Sequence, residues 1–183
     1  MKKTILIASV AVLIAVLVIT MYGRREQEST APGTVTQTPT ITGNVIAVTP
    51  QTSRAAIGDE VKIDIISREV QNVYGVQISV MYDSQVLEFM KAEEGTFLSK
   101  NGQENTIYMP SVMDTKTNGL VKDFVLVKTG DVGTSGSGVI GTLTFKAKTA
   151  GTAAVSIRTD SMISNSDAKP IVVQTENSQV VIG

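Results

Sequence analysis

The chain has 183 residues, which is enough for one domain of ordinary size and some additional sequence. Its 16 basic and 17 acidic residues give a net charge of -1, so the sequence indicates no basic surface for nucleic acid, and nucleic acid is excluded as a partner. Cysteine and histidine are both absent. Thiolate nucleophiles, disulfides, imidazole catalysis and the usual zinc sites are thereby excluded.

Residues 5–22 form an uncharged and almost wholly apolar run of 18 residues. As a helix, this run would span roughly 27 Å, which is close to the hydrocarbon thickness of a bilayer. A cleaved secretory signal is the alternative, but its apolar region usually ends after about 7–15 residues at a small-x-small site. Because this run ends in Ile-Thr-Met-Tyr-Gly, we predict that residues 1–22 are an uncleaved transmembrane signal anchor. If they are cleaved, the protein is secreted.

The charges that flank the apolar run do not decide its orientation. Lys2 and Lys3 precede the run, and Arg24 and Arg25 follow it, so the positive-inside comparison is nearly balanced. Residues 23–43 are rich in Thr, Pro, Gly and Ser and predict a flexible linker, whose ends would lie roughly 25 Å apart. We expect the rest of the chain to be extracytoplasmic and held clear of the membrane surface.

Residues 44–183 alternate between apolar and polar side chains and show no helical periodicity of useful length. The segment EVKIDIIS places Val61, Ile63 and Ile65 on one face of a strand. In VIGTLTFKAK, the apolar face consists of Val139, Leu143, Phe145 and Ala147, and the polar face of Thr142, Thr144, Lys146 and Lys148. Short alternating runs between Gly, Asn, Asp and Ser predict an all-β antiparallel sandwich of about eight or nine strands.

The stretch VQISVMYDSQVLEF interrupts one such strand with a turn. The residues predicted to face inward are Val76, Ile78, Val80 and Tyr82, and those predicted to face outward are Gln77, Ser79 and Met81. The carboxylate of Asp83 is expected to accept hydrogen bonds from the next backbone amides and to cap a tight turn. Leu87 and Phe89 restore the apolar alternation, so the motif indicates a chain reversal between two core strands.

Three segments of the sequence together resemble a cohesin domain. They are AIGDEVKIDI, VYGVQISVMYDSQVLEFMKAEEGTFLS and SGSGVIGTLTFKAKTAGTAAVSI, and the resemblance covers most of residues 45–183. Cohesins are receptor modules of cellulosome scaffolds that bind the dockerin domains of polysaccharide-degrading enzymes. The resemblance implies that residues 44–183 form a nine-stranded antiparallel jelly-roll β-sandwich, with an extracytoplasmic or cell-surface location and a non-catalytic role.

The resemblance also implies a partner-binding face. In cohesins, the dockerin rests on a sheet face that includes the strand before the Tyr-Asp turn, whose outward residues here are Gln77, Ser79 and Met81. Asp123 and Lys128 in the strand LVKDFVLVK are further exposed candidates, in the region where the resemblance is weakest. We expect a dockerin-like partner to contact these five residues. The alternative is an ordinary hydrated sheet face.

Carbohydrate binding is the main competing function, because the cohesin sandwich resembles several carbohydrate-binding modules. Flat polysaccharide-binding platforms usually rely on exposed aromatic rings. The chain has no Trp and only 4% aromatic residues, and Tyr74 and Tyr108 are the tyrosines left for such a platform. Groove-type binding through Asn, Gln and Asp stays open. So does a third function, that of a structural stalk or assembly protein without a dockerin partner.

No arrangement of carboxylates in the sequence predicts catalysis. The adjacent pairs Asp59-Glu60 and Glu93-Glu94 would point to opposite faces of a strand. A glycosidase instead needs two carboxylates that face one cleft. We therefore predict that the chain is not an enzyme and uses no cofactor.

The loop TDSMISNSDAK is the one candidate for a cation site. It groups the oxygen-bearing side chains of Asp160, Asn165 and Asp167. Their spacing does not match the calcium-binding loop of an EF-hand. We expect a solvated turn here and no metal, with calcium binding as the alternative.

Overall fold

The structure is a computed structural model that describes residues 43–99, 106–110 and 119–183. These residues belong to one compact unit, which extends from Ile41 to Gly183. The predicted anchor over residues 1–22 and nearly all of the predicted linker over residues 23–43 lie outside the described residues. Within the described part of the chain, no helix has the length and hydropathy needed to cross a membrane.

The described residues fold into β-strands, as the alternating pattern predicts. The eleven strands among them are β1 Val45–Thr49, β2 Thr52–Ala55, β3 Glu60–Tyr82, β4 Leu87–Glu94, β5 Thr106–Met109, β6 Leu120–Lys128, β7 Thr134–Ala147, β8 Gly151–Ile157, β9 Met162–Asn165, β10 Gln174–Glu176 and β11 Ser178–Ile182. The predicted number of nine is too low, because β2, β9 and β10 have only three or four residues and show no clear alternation. Purely antiparallel pairing is also wrong, since β1 pairs with β10 and β2 with β11 in parallel.

β3 is a strand of 23 residues that bends in its middle and pairs with different strands on the two sides of the bend. Its register with β7 shifts on either side of Val70, and Glu69 and Asn72 have φ angles of 52° and 53°. Residues other than glycine rarely adopt this left-handed conformation. The N–H groups of both residues are bound by serine hydroxyls of β7, Ser137 at 3.1 Å and Ser135 at 2.9 Å, which stabilise the bend.

The bend in β3 divides the strand pairings into two sheets. The first sheet has the order β4, β7, the first half of β3, β1 and β10. The second sheet has the order β5, β6, the second half of β3, β8, β11 and β2, with β9 paired to β3 next to β8. The two sheets pack as a sandwich, so the predicted all-β sandwich class is confirmed.

Alternate residues of both sheets fill the space between them. Val61, Ile63 and Ile65 of the first sheet are buried, as their spacing predicts. The rings of Tyr82 in the second sheet and Phe145 in the first sheet have centroids 5.0 Å apart, so aromatic contacts cross the core. The core therefore consists of the inward-facing residues that a period of two selects in each strand.

The alternation predicted for β7 fails at Val139. This residue is only half-buried, while its neighbour Ile140 is fully buried. Ile65 pairs with Gly141 and Ile66 pairs with Val139, which leaves Ile140 as an extra residue in β7. Such a bulge shifts the inward-facing positions by one residue.

Thr144 in β7 is also more buried than predicted. It is 1% exposed, although its position in the alternation assigns it to the outer side of the first sheet. Its cross-strand neighbours are Lys62 and Lys91, and their long side chains reduce its exposure.

The Tyr-Asp motif forms the turn that its residues predict. Asp83 Oδ1 accepts a hydrogen bond of 2.8 Å from the N–H of Gln85, and the Asp83 carbonyl accepts from the N–H groups of Val86 and Leu87. β4 follows directly and pairs with β7, not with β3. The turn thus carries the chain from the second sheet to the first.

Candidate functional site

Apolar side chains lie next to one another on the outer face of the second sheet, across β5, β6, β3 and β9. One row of cross-strand neighbours consists of Met109, Val125, Gln77 and Met162. The adjacent row consists of Ile107, Val127, Gly75 and Ser164. Directly opposite residues on neighbouring strands have Cβ atoms about 4.5–5.5 Å apart, so the side chains of each row form a continuous surface.

We call six side chains of this surface the apolar face: Met81, Ile107, Met109, Val125, Val127 and Met162. Four of the six are about half exposed, at 53% for Ile107 and Met162 and 48% for Met81 and Met109. Eight large hydrophobic side chains are exposed among the described residues, so half of these lie on this single face. Such a concentration is typical of surfaces that bind a partner, so the apolar face is the candidate site.

The absence of a side chain at Gly75 leaves a shallow depression in the apolar face. The depression has a volume of about 170 Å³, and Val127, Met162 and Ser164 contribute to its walls. A Cβ atom at position 75 would lie 2.8 Å from Ser164 Oγ, so glycine is the residue that leaves Ser164 in place. The depression can receive an apolar side chain of a partner.

The outer face of the first sheet has a different character. Asp64 Oδ1 accepts a hydrogen bond of 2.6 Å from Thr142 Oγ1. Arg68 forms an ion pair of 2.8 Å with Glu176. Polar groups on this side are paired with one another and exposed lysines lie among them, for example Lys62. The group of exposed apolar side chains is therefore a property of the second sheet.

A polar pair lies beside the two apolar rows. Gln77 Nε2 donates a hydrogen bond of 2.9 Å to Asp123 Oδ1. Asp123 is at a bulge in β6 and has a φ angle of 55°. The pair fixes the orientation of the Gln77 amide within an otherwise apolar surface.

The charged groups at the Met81 end of the face are paired within the chain. Arg158 Nε donates to both carboxylate oxygens of Asp160, at 3.0 and 3.2 Å. This hydrogen bond lowers the pKa of the Asp160 carboxyl and raises the pKa of the Arg158 guanidinium. Lys122 Nζ is 3.9 Å from Asp123 Oδ2, and Arg158 Nη1 is 4.0 Å from Met81 Sδ. The face thus ends at a rim of compensated charges.

The structure places three of the predicted partner-binding residues on one surface. Gln77 and Met81 are exposed on the outer side of β3, and Asp123 is half-buried on the neighbouring strand. Their assignment as partner contacts stays a prediction.

Ser79 and Lys128 are buried, contrary to the expected exposure. Ser79 is 4% exposed, because the bulge of β6 lies over it and the turn between β8 and β9 binds its backbone. Lys128 is 6% exposed, and its Nζ lies 3.4 Å from Thr134 Oγ1. Lys128 lies two residues after Leu126 and four after Phe124, which both face inward, so the alternation along the strand also places Lys128 inside.

The sequence-based prediction missed most of the apolar face. The missed residues are Ile107, Met109, Val125, Val127 and Met162. The run FVLV in β6 is apolar at every position, which is a sign that both of its faces contact apolar groups. No local signal links β5 and β9 to this run, because their proximity depends on pairing across the sheet.

The two tyrosines considered for sugar binding do not form a common platform. Tyr108 donates a hydrogen bond of 2.8 Å to the carbonyl of Ala92 and packs its ring 5.3 Å from that of Phe124. Burial raises the pKa of the Tyr108 phenol, and Glu94 and Glu93 raise it further. Tyr74 donates its hydroxyl to the carbonyl of Gly130 on a different strand connection.

The oxygen-rich loop is held together by hydrogen bonds between the Asn165 side chain and backbone N–H groups of the loop. Asn165 Oδ1 accepts hydrogen bonds from the N–H groups of Asp167 and Lys169, at 3.0 and 2.9 Å. Asp160 is paired with Arg158. Across the described ranges, no three acidic side chains are grouped in a way that would hold a metal ion.

A family model of the cohesin domain matches residues 46–182 of the chain. Solved cohesin structures share the fold. The non-cellulosomal cohesin of the hyperthermophilic archaeon Archaeoglobus fulgidus is 18% identical, with a TM-score of 0.60 over 77% of this chain and 91% of that protein. No curated protein sequence matches the chain.

Complexes with a dockerin are among the similar structures. The sixth cohesin of Acetivibrio cellulolyticus scaffoldin B, in complex with a variant of the Cel5 dockerin, is 21% identical, with a TM-score of 0.60 over 78% of this chain and all of that one, 100%. The Coh-OlpC–Doc435 complex of Clostridium thermocellum contains a cohesin that is 20% identical, with a TM-score of 0.60 over 76% of this chain and 93% of that one.

Proposed function

The chain belongs to the cohesin family, and on this basis we propose that it is a docking module that receives a dockerin-like protein domain on its apolar face. Cohesin domains are non-catalytic binding modules, and the chain is accordingly not an enzyme. The observation that carries the proposal is the group of four half-exposed large apolar side chains on one sheet face. The dockerin complexes among the similar cohesin structures support it.

The composition of the apolar face favours a protein partner over a polysaccharide. Methionine and aliphatic side chains adapt to an apolar protein surface, and the core of a protein interface is poor in charge. A flat polysaccharide is bound by exposed aromatic rings. We infer that the partner presents a helix whose apolar side chains recur at positions i, i+3, i+4 and i+7.

We also propose an extracellular or cell-surface location for the module, with residues 5–22 as a membrane anchor and residues 23–43 as a linker. The apolar run and the composition of the following segment support this arrangement. An anchored module confines its partner to the surface and raises its effective concentration there. Such a module serves polysaccharide degradation or surface assembly.

The test measures binding of the full chain, in a mild detergent, to purified dockerin domains encoded by the same organism. The wild-type chain is expected to bind at least one of them. Met162→Lys is expected to weaken this binding at least about tenfold, because it brings a charge into an apolar contact. Met90→Lys is the matched control, since Met90 is 46% exposed but lies on β4 of the first sheet.

Each other outcome identifies a different function or site. Retention on insoluble cellulose without dockerin binding would support the carbohydrate-binding alternative. Self-association with neither activity would support an assembly protein. Dockerin binding that Met162→Lys leaves unchanged would place the interface elsewhere on the domain.

A further inference from the structure

The backbone of β6 carries an extra residue opposite Ser79. Ile78 pairs with Phe124 and Val80 pairs with Val121, so two residues of β6 lie opposite the single Ser79. One of the two, Asp123, has a φ angle of 55°. A side chain other than glycine in this conformation persists only where the surroundings hold it.

The N–H group of Asp123 is held by a serine hydroxyl. Ser79 Oγ lies 3.3 Å from Asp123 N and accepts its hydrogen bond. The same arrangement occurs at the bend of β3, where serines of β7 accept the N–H groups of Glu69 and Asn72. Among the described residues other than glycine, four have a positive φ angle, and serine hydroxyls bind the N–H of three of them. A hydrogen bond from the backbone N–H to a serine hydroxyl therefore recurs at the left-handed residues of this protein.

The backbone of Ser79 is bound by Ser161, which lies in the turn between β8 and β9. Ser161 Oγ accepts the N–H of Ser79 at 3.1 Å and lies 3.4 Å from the Ser79 carbonyl oxygen, to which it can donate. The same carbonyl accepts the N–H of Arg158 at 2.9 Å. Consecutive hydrogen bonds thus connect Ser161 to Ser79 and Ser79 to Asp123.

The last of these hydrogen bonds, between Asp123 and Gln77, lies on the surface. Asp123 Oδ1 accepts the hydrogen bond of Gln77 Nε2, so the conformation of the bulge sets the direction of the Gln77 amide. Because Ser79 is 4% exposed, it acts on this surface through Asp123 and not by contact with a partner. We propose that Ser79 and Ser161 are positioning residues of the docking surface, which hold Asp123 and Gln77 in the orientation that a partner recognises. This inference rests on the proposed function.

The first measurement needs no partner. In the full chain, Ser161→Ala is expected to shift the NMR signals of the Gln77 side-chain amide and to speed hydrogen exchange of the Asp123 N–H at least about tenfold. Ser161→Thr restores the hydroxyl and is expected to return both signals to the wild-type values. Unchanged Gln77 signals and unchanged exchange in Ser161→Ala would overturn the inference whether or not a partner binds.

The second measurement uses the dockerin domain that binds the wild-type chain. Ser161→Ala is expected to weaken binding about fivefold, the factor that corresponds to about 1 kcal/mol for one hydrogen bond. Ser137→Ala is the matched control, because it removes the same kind of bond from Glu69 in the first sheet and is expected to leave the affinity unchanged.

The two measurements separate the inference from the proposed function. A shifted Gln77 amide with unchanged dockerin affinity would overturn the positioning role, while docking through Met162 would stand. An equal loss of affinity in Ser161→Ala and Ser137→Ala would show a general effect of destabilisation and would also overturn it. If no dockerin binds the wild-type chain, the proposed function fails first, and the inference fails with it.

Discussion

The ring of Phe124 on β6 packs directly against the backbone of Gly141 on β7, in the opposite sheet. A Cβ atom at position 141 would lie only 2.3 Å from Phe124 Cζ, closer than any real Cβ contact. Phe124 is fully buried. Since β6 also carries Val125 and Val127, this contact sets how closely the sheet beneath the apolar face approaches the other layer.

Gly141→Ala is expected to lower the free energy of unfolding by about 1–3 kcal/mol, because the added methyl group overpacks the core. Urea unfolding followed by circular dichroism measures this change. Phe124→Leu in the same chain removes the ring and is expected to make the additional cost of Gly141→Ala small. An equal cost in both backgrounds would contradict the contact between the two residues.

Asp83→Ala is expected to destabilise the fold by about 1 kcal/mol, because the N–H of Gln85 loses the acceptor that lies 2.8 Å away. Asp83→Asn keeps a side-chain oxygen at this position and is expected to recover most of the loss. Thermal unfolding of the three proteins is the measurement. If the two variants were equally destabilised, the carboxylate would have a role other than capping the turn.

Tyr108→Phe is expected to destabilise the protein at neutral pH by about 1 kcal/mol, because the hydroxyl that donates to the Ala92 carbonyl is lost. This bond joins β5 at the edge of the second sheet to β4 at the edge of the first. Urea unfolding at pH 7 measures the change.

The pH dependence of unfolding gives a second test of Tyr108. Burial raises its pKa in the folded state, so the unfolded chain releases the phenolic proton at a lower pH than the folded one. The stabilising contribution of the neutral phenol is therefore complete below about pH 9 and is lost as the pH rises through and above about 10. The wild type should lose more unfolding free energy in this window than Tyr108→Phe. Identical slopes would contradict the raised pKa.

Dockerin binding is expected to depend little on salt. Arg158 and Asp160 at the end of the apolar face compensate each other, and Lys122 Nζ lies 3.9 Å from Asp123 Oδ2. The dissociation constant should change less than about threefold between about 50 and about 500 mM NaCl, because few uncompensated charges are screened. Surface plasmon resonance at several salt concentrations measures this. A change of more than about tenfold would indicate a charged interface.

Much of the fold is readable from local patterns. The spacing of Val61, Ile63 and Ile65, and that of Val76, Ile78 and Val80, places each set on the buried side of a strand, as the structure has it. Asp83 marks the turn because its carboxylate competes locally for backbone amides. These features depend on residues that are near one another in the chain.

The proposed docking surface depends on contacts between distant parts of the chain. The extra residue of β6 exists only in its pairing with β3, and it is this pairing that buries Ser79 and turns Asp123 toward Gln77. Met109 and Met162 lie in one cross-strand row with Val125 and Gln77 between them, although their positions differ by 53 in the sequence.

The sequence by itself determined which face is apolar in both halves of β3, where the Tyr-Asp turn lies and which family the chain resembles. Only the tertiary structure decided which strands are neighbours, where bulges shift the alternation and which exposed apolar side chains come together. The physical reason is that the period of two is a property of a single strand, whereas register and strand order follow from backbone hydrogen bonds between segments far apart in the chain.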